Sequence, residues 1–339
     1  MPGLKVDVLL GTDPLGARDR AVELARAGVN GLFSFENAHD VFFPLVLAAG
    51  AADVDLMTNV AIAFPRSPFH LAQQAYDLQL LSSGRFRLGL GTQIKVHIER
   101  RYGSTWTRPV ARMRETVLAV KAILGSWQEG SRLDFRGEFT THTLMPPAFN
   151  PGPNPLGAPP VLVGALGPKM TEMAAEVADG ILIMPFNSAR HLTERTRPAI
   201  ERGLAAGHRP ADELEVVGEV IVATGRGADE LEAACRGVRW LLAFYGSTPA
   251  YRPVLDVEGR GELQPRLNAM SKRGEWAAMA ELIDESMLRA LAVVGTPEDC
   301  ATQISARFGD LASRVCCYFP GYPIADERIA ELVAALRAS

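Results

Sequence analysis

The stretch of residues 161–183, VLVGALGPKMTEMAAEVADGILI, contains the structural unit from which the fold is predicted. An apolar strand over residues 161–163 runs into a glycine-rich turn, Pro168 opens a helix, and a second apolar strand begins at residue 181. Two short apolar strands joined by a helix are typical of a parallel βαβ unit, whose strands are buried on both faces. This stretch therefore predicts an α/β protein.

The same alternation of strand and helix extends over almost the whole chain. Strands are predicted over residues 6–10, 31–34, 55–61, 86–90, 161–163, 181–184, 216–223 and 315–319. Eight strands connected through helices predict a TIM-like (β/α)8 barrel. An open doubly wound sheet is the alternative, but the turn after its first strand, GTDPLG, lacks the GxGxxG spacing that such a sheet would favour.

Two segments interrupt the alternation. Residues 126–160 are rich in proline, and residues 247–290 separate the seventh strand and its helix from the helix at residues 297–308. Because the alternation resumes after each segment, we expect residues 1–339 to form a single barrel domain with two insertions. The insertions are expected to shape the substrate pocket.

Composition excludes several classes of protein. Hydrophobic residues make up 47% of the 339 residues and charged residues 22%, which is typical of a globular chain. The net charge of −4 argues against a nucleic-acid-binding surface. No apolar run is long enough for a membrane span, and the N-terminus lacks the layout of a signal peptide. We therefore expect a cytoplasmic protein with no membrane or nucleic-acid partner.

The four cysteines, Cys235, Cys300, Cys316 and Cys317, form no CxxC pair. Their spacing favours neither a zinc site nor a disulfide framework, and reduced thiols are expected. No metal site is predicted.

Polar residues follow the second strand, within FSFENAHDVFFP at residues 33–44. Glu36 and His39 are close in sequence, and the ends of barrel strands are where active sites lie. Acid and base groups within reach of each other could transfer protons. The alternative is a polar loop in which Asp40 caps a helix.

Two further strand ends carry candidate ligand-binding residues. After the fourth strand, Gly91 precedes a loop with Thr92, Gln93 and His97, where His97 is either a surface residue or a ligand contact. After the fifth strand, residues 164–167 lead into a helix, and a helix N-terminus beside glycines can bind an anion. A plain capped turn is the alternative there.

Taken together, several segments resemble the bacterial luciferase-like family of flavin and deazaflavin enzymes. They are NVAIAFPRSPFHLAQQAYDLQLLSSGRFRLGLGTQ (59–93), RPVARMRETVLAVKAIL (108–124), GPKMTEMAAEVADGILI (167–183) and AVVGTPEDCATQI (292–304). The stretches HIERRYG (97–103) and FYGSTPAYRPVL (244–255) are similar to an actinobacterial subgroup that resembles enzymes using coenzyme F420, an 8-hydroxy-5-deazaflavin.

This resemblance implies a barrel with a flavin-type ring at the C-terminal mouth. It implies a backbone bulge, often with a non-prolyl cis peptide, at Asn59 and Val60 behind the ring. It places the cofactor phosphate on Gly164, Ala165, Leu166 and Gly167, and cofactor contacts at Thr92, Gln93 and His97. Glu36 and His39 correspond loosely to an acidic residue and a histidine near the reactive ring face in relatives, and are the predicted catalytic residues.

The resemblance implies an F420-dependent oxidoreductase that transfers a hydride to or from a small organic substrate. A monooxygenase that uses reduced FMN is an alternative within the same fold. A barrel that binds a cofactor without turnover, as a carrier or sensor, is a second alternative. The family resemblance also implies a homodimer.

Overall fold

The computed structural model describes residues 4–338. The strands are β1 (Lys5–Leu9), β2 (Gly31–Ser34), β3 (Asp55–Thr58), β4 (Ala61–Ile62), β5 (Phe86–Gly91), β6 (Phe135–Arg136), β7 (Thr141–His142), β8 (Val161–Ala165), β9 (Gly180–Ile183), β10 (Glu215–Thr224), β11 (Ala292–Gly295) and β12 (Arg314–Tyr318). Each predicted strand matches one of these to within a few residues at its ends.

The helices surround the sheet. They are α1 (Ala17–Arg26), α2 (Phe42–Ala49), α3 (Pro68–Leu81), α4 (Lys95–Arg100), α5 (Pro109–Glu129), α6 (Pro168–Val177), α7 (Ala189–His191), α8 (Arg197–Ala206), α9 (Ala228–Gly246), α10 (Arg252–Val257), α11 (Leu263–Lys272), α12 (Trp276–Ala280), α13 (Glu285–Leu291), α14 (Pro297–Phe308) and α15 (Asp326–Ala338). Short 3₁₀ turns cover Pro147–Phe149, Ala211–Glu213 and Pro249–Tyr251, and a π-helical turn at Leu192–Thr196 joins α7 to α8.

Eight of the strands close into a parallel barrel in the order β1, β2, β3, β5, β8, β9, β10, β12. Strand β10 pairs with both β9 and β12, and β12 pairs with β1, which completes the circle. The strand order follows the sequence, so the TIM-like barrel is confirmed and the open sheet is wrong. The carboxyl ends of all eight strands therefore meet at one mouth.

Several details differ from the predicted elements. The third predicted strand is divided into β3 and β4, and the latter pairs with β5. Helix α5 continues to Glu129, so the first residues of the 126–160 segment belong to a barrel helix. The rest of that segment holds the β6–β7 hairpin, and residues 247–290 fold into short helices. Strand β11 extends the sheet beside the end of β10.

The barrel interior is filled by side chains at successive levels. At the amino ends of the strands, the fully buried Arg314 pairs with Asp7, Asp55 and Glu215. Above this ionic cluster lies an apolar level composed of Phe33, Met57, Leu162, Leu182, Val217 and Cys316. These two levels close the barrel from below, so a ligand can enter only from the mouth.

Within residues 4–338, no helix is long and apolar enough to cross a membrane. The same residues contain no group of three or more acidic, histidine or cysteine side chains arranged to hold a metal ion. The four cysteines are buried and free.

Candidate functional site

A backbone bulge between β3 and β4 lies across the barrel mouth. The peptide bond between Asn59 and Val60 is cis, as the family resemblance implied. A Cβ atom on Gly91 would overlap the Val60 Cγ2 atom, and one on Gly164 would lie 3.1 Å from Val60 Cγ1. Because Gly91 and Gly164 have no side chains, the Val60 side chain has room between β5 and β8.

The Glu36 carboxylate, just past β2, is held by an arginine from the loop after β4. Arg66 Nη1 donates to Glu36 Oε2 at 2.7 Å and Nη2 donates to Oε1 at 2.8 Å. The Ile62 backbone N–H also donates to Oε2, at 3.3 Å. Asp40 accepts from Arg66 Nη2 at 3.0 Å, and its other oxygen accepts from the Phe42 N–H at the start of α2. Burial tends to lower the pKa of Arg66, but its bonds to Glu36 and Asp40 raise it overall.

His39 lies in the same loop but is exposed, and no bond joins it to Glu36 among the contacts of the described chain. The two predicted catalytic residues are thus near in sequence but do not form an acid–base pair in this structure. Their catalytic role stays a prediction.

The loops after β2 and β5 meet across the mouth, although β3 lies between these two strands in the barrel. Arg101, following α4, donates to the Asn37 carbonyl, and its guanidinium lies 5.1 Å from the centre of the Tyr102 ring. Burial and then the Glu36 charge raise the pKa of the Tyr102 phenol. The Tyr102 hydroxyl is buried and has no hydrogen-bond partner in the described structure.

Thr92, Gln93 and His97 lie along the loop from β5 into α4 and are partly buried. Gln93 has a positive φ of 58°, and its side-chain oxygen accepts from the Ile94 N–H at 3.0 Å. The Thr92 hydroxyl donates to the Gln93 carbonyl at 3.0 Å. Both polar side chains therefore stabilise the local turn, and His97 lies in the first turn of α4.

The turn from β8 into α6 contains the predicted phosphate site at residues 164–167. Gly167 is the N-cap of α6, and no side chain caps this end of the helix. A Cβ atom placed on Gly167 would meet no atom within 4 Å. The N-terminus of the helix thus faces open space beside a residue with no side chain, which suits an anion.

Sequence reasoning missed Glu219, an acidic residue in the middle of β10. Its neighbours in VVGEVIVA are apolar, and a charged residue inside a buried parallel strand was the available signal. Glu219 is 9% exposed, and burial raises the pKa of its carboxyl from 4.5 to about 8, opposed in part by the adjacent Asn59 side chain. Asn59 is 8% exposed, and its Nδ2 atom makes no well-formed hydrogen bond.

Three tyrosines from other elements lie near enough to Glu219 to be affected by its charge. Burial and the Glu219 charge raise the pKa of each phenol, for Tyr318 at the end of β12 to about 12. Tyr245 of α9 and Tyr251 of the following 3₁₀ turn contact each other, with ring centres 5.9 Å apart. The Tyr318 ring lies 6.0 Å from Phe35, at the end of β2. One side of the mouth is therefore a polar aromatic wall around a carboxyl group.

The residues at the mouth fit a flat, phosphate-bearing cofactor of the flavin or deazaflavin type. Asn59 and Tyr102 each present a buried polar atom without a partner, as a ring with carbonyl and ring nitrogen atoms would require. The Val60 bulge offers an apolar surface, and Gly167 leaves open space at a helix N-terminus.

Comparisons with known proteins agree with this geometry. An uncharacterized protein of Mycobacterium tuberculosis is 48% identical over 93% of both chains. The 5,10-methylenetetrahydromethanopterin reductase of Archaeoglobus fulgidus is 28% identical over 77% of this chain and 75% of its own. The solved structure of the coenzyme F420-dependent tetrahydromethanopterin reductase from Methanopyrus kandleri has a TM-score of 0.78, 19% identity, and coverage of 98% and 97% of the two chains.

The family model described as luciferase-like monooxygenase matches residues 5–314, which contain all eight strands of the barrel except the last four residues of β12. With this match and the 48% identical relative, the chain belongs to the luciferase-like family of oxidoreductases and monooxygenases.

Proposed function

We propose that this protein is an F420-dependent oxidoreductase that transfers a hydride between the deazaflavin and a small organic substrate. The observation that carries the proposal is the cis-peptide bulge at the mouth of the closed barrel, where the half-buried Val60 lies against Gly91 and Gly164 and Asn59 lies beside the Glu219 carboxyl. The choice of cofactor is supported by a putative coenzyme F420-dependent oxidoreductase of Mycobacterium tuberculosis, which is 26% identical over 89% of this chain and 91% of its own.

When bound, the deazaflavin would supply or accept the hydride. The protein would position the ring and the substrate, shield them from water, and exchange protons with the substrate. Val60 would support one face of the ring, which leaves the other face for substrate. The Asn59 amide and the Tyr102 hydroxyl would bind polar atoms of the cofactor, and residues 164–167 with the N-terminus of α6 would bind its phosphate.

Glu36 and His39 remain proposed residues of the active site, but with different roles. Because Arg66 and the Ile62 N–H already occupy the Glu36 carboxylate, Glu36 would act by fixing the rim of the mouth. His39 is exposed beside that rim and would exchange a proton with substrate or solvent. Thr92, Gln93 and His97 would line the cofactor from the β5 side.

A monooxygenase that uses reduced FMN is the second candidate, because the family model carries that activity in its description. The two candidates need different cofactors, since a deazaflavin does not readily form the oxygen adduct on which flavin monooxygenases depend. Cofactor identity therefore separates them.

Binding of the purified protein to F420 and to FMN, each followed by fluorescence titration, tests the proposal. We expect F420 to bind at micromolar concentration and FMN to bind far more weakly. Tight FMN binding with no F420 binding would favour the monooxygenase. Binding of either cofactor without turnover of any compound in a broad screen would favour a carrier or sensor.

We also propose a homodimer. The adjacent helices α2 and α3 expose several large apolar side chains, namely Phe43, Val46, Leu47, Leu80 and Leu81. Exposed apolar side chains grouped on neighbouring helices are typical of a protein interface. Sedimentation equilibrium of the wild type and of Phe43→Glu would test this, with a monomeric variant expected.

A further inference from the structure

We propose that Glu219 is a catalytic residue that exchanges a proton with the substrate at the barrel mouth, and that the substrate is an uncharged compound with a carbonyl or imine group. This proposal rests on the hydride transfer proposed above and adds a proton-transferring residue and a substrate class.

Glu219 occupies the right level of the barrel for this role. Along β10, Glu215 belongs to the ionic cluster at the closed end and Val217 belongs to the apolar level above it. Side chains of a strand alternate between its faces, so Glu219 is the next inward-facing residue towards the mouth. It lies beside Asn59, the residue at the start of the bulge on which the ring is expected to rest.

The carboxyl is buried but not sealed. Glu219 is 9% exposed and Asn59 is 8% exposed, so both retain a small accessible surface above the apolar level. The strand is also held in place, because the Asn187 Nδ2 atom donates to the Glu219 carbonyl at 3.3 Å and to the Met184 carbonyl at 2.7 Å. A group fixed in this way can meet a substrate without a rearrangement of the backbone.

The neighbours of Glu219 favour its neutral form. The titratable groups near it are Tyr245 of α9, Tyr251 of the 3₁₀ turn, and Tyr318 and Cys316 of β12, all of which are neutral at neutral pH because burial raises their pKa values. Among residues 4–338, no lysine or arginine lowers the pKa of Glu219, which burial raises to about 8. The carboxyl therefore carries a proton at pH 7.

This arrangement favours an uncharged, polar substrate. A substrate anion would meet an acidic residue among phenols, and no lysine or arginine of residues 4–338 lowers the pKa of that carboxyl, whereas a carbonyl or imine can accept a hydrogen bond from a protonated carboxyl. In the direction of reduction, the substrate C=O or C=N double bond opens. Its carbon would accept the hydride that a bound reduced deazaflavin supplies on being oxidised, and its oxygen or nitrogen would take the proton of Glu219. The resulting carboxylate regains a proton from solvent.

Two measurements that do not depend on turnover test the role of Glu219. The first is infrared spectroscopy of the wild type, Glu219→Gln and Asp7→Asn as a function of pH. We expect a protonated carboxyl band that disappears near pH 8 in the wild type and in Asp7→Asn but is absent from Glu219→Gln. Asp7 is the matched control, since burial raises the pKa of its carboxyl only to about 6.

The second measurement is the absorption spectrum of bound F420 between pH 6 and pH 9, with free F420 as the reference for its own ionisable hydroxyl. A carboxyl that faces the reacting ring should shift the spectrum as it ionises near pH 8, and Glu219→Gln should abolish that shift while F420 affinity stays within about threefold, or 0.7 kcal/mol. A general acid would also lower turnover by about 10²-fold or more when replaced.

The outcomes separate this proposal from the proposed function. An infrared band without any effect on bound F420 makes Glu219 a buried structural acid and overturns its catalytic role. If wild type and Glu219→Gln show the same carboxyl bands at pH 7, Glu219 is ionised at that pH, and its catalytic role is overturned. If neither F420 nor FMN binds the wild type, the proposed function fails and the catalytic role of Glu219 fails with it. If FMN alone binds, the same spectral test on bound FMN decides the role.

Discussion

Arg66 binds both carboxylate oxygens of Glu36, at 2.7 and 2.8 Å, and so joins the end of β2 to the loop after β4. The pair is largely buried, with side-chain exposures of 9% for Glu36 and 16% for Arg66. A two-pronged contact of this kind fixes the relative position of both groups. It fixes one side of the mouth, between the predicted catalytic loop and the Val60 bulge.

Breaking this pair should destabilise the protein. Removing one partner of a buried ion pair costs about 3–5 kcal/mol, so we expect a loss near this range for Arg66→Ala and a smaller one for Glu36→Ala, which leaves Arg66 paired with Asp40. The double variant should lose less than the sum of the two, with a coupling of about 0.5–3 kcal/mol. Urea unfolding would measure all three variants.

The exposed pair of Arg85 with Asp53 provides the control. Its atoms are 2.8 Å apart, but the Asp53 side chain is 90% exposed. Asp53→Ala should therefore cost less than about 1 kcal/mol. Equal losses for Glu36→Ala and Asp53→Ala would show that the Glu36 contact is not a structural anchor.

His39→Ala separates catalysis from structure. His39 is exposed and makes no hydrogen bond or ion pair with residues 4–338, so its replacement should change the free energy of unfolding by no more than about 0.5 kcal/mol. If His39 transfers a proton, turnover in any reaction that consumes reduced F420 should fall about 10²-fold. Unchanged turnover in a variant that folds and binds F420 normally would remove His39 from the catalytic residues.

Replacing Gly167 by tryptophan should weaken cofactor binding without unfolding the protein. Gly167 has an ordinary φ of −75°, and a Cβ atom there meets nothing within 4 Å, so the chain tolerates a side chain. The indole would occupy the space proposed for the phosphate. We expect F420 affinity to fall at least about tenfold, or 1.4 kcal/mol, with the melting temperature nearly unchanged.

Gly227→Trp is the matched control for that variant. Gly227 is also the N-cap of a helix that follows a barrel strand, has a φ of −110°, and has no atom within 4 Å of the position that a Cβ atom would take. The control should retain F420 affinity. Equal weakening in both variants, or in neither, would place the phosphate elsewhere.

The barrel could be predicted because its strands are short, apolar and separated by amphipathic helices. Periodicity identified all eight strands, and Pro168 marked the start of α6. The short helices between residues 247 and 290 were not predicted, because that segment has no strong periodicity. Strand β4 was merged with β3 because hydrophobic periodicity does not mark the bulge, which only the family resemblance implied at Asn59 and Val60.

The candidate site was predicted only in part. The barrel order brings the carboxyl ends of all strands to one mouth, where Arg101 after β5 donates to the Asn37 carbonyl after β2. The structure pairs Glu36 with Arg66, whereas the sequence suggested His39 as its partner. This choice depends on side-chain positions that the sequence does not specify. Glu219 was overlooked because its strand is otherwise apolar, although an acidic residue at a buried position needs an explanation.

Glu219 should make the stability of the protein depend on pH in a specific direction. Burial raises the pKa of its carboxyl from 4.5 to about 8 on folding. Between these values the folded protein keeps a proton that the unfolded chain has lost. The free energy of unfolding should therefore fall as pH rises, by at most about 1.4 kcal/mol per pH unit, and the proton-linked stabilisation should be fully present only below pH 4.5.

The range between pH 6.5 and pH 8 isolates this effect. Burial lowers the pKa of His191 from 6.5 to about 4, so His191 makes stability rise with pH, but only up to pH 6.5. Asp7, with a pKa raised to about 6, contributes only at lower pH. Urea unfolding across this range should show a free energy of unfolding that falls with pH for the wild type and for Asp7→Asn, and one that stays constant for Glu219→Gln.

Because the introduced amide cannot ionise in the buried site, Glu219→Gln should also be more stable than the wild type at pH 8. Parallel curves for all three proteins would mean that Glu219 is already ionised in the folded state, and its proton could not then serve the substrate.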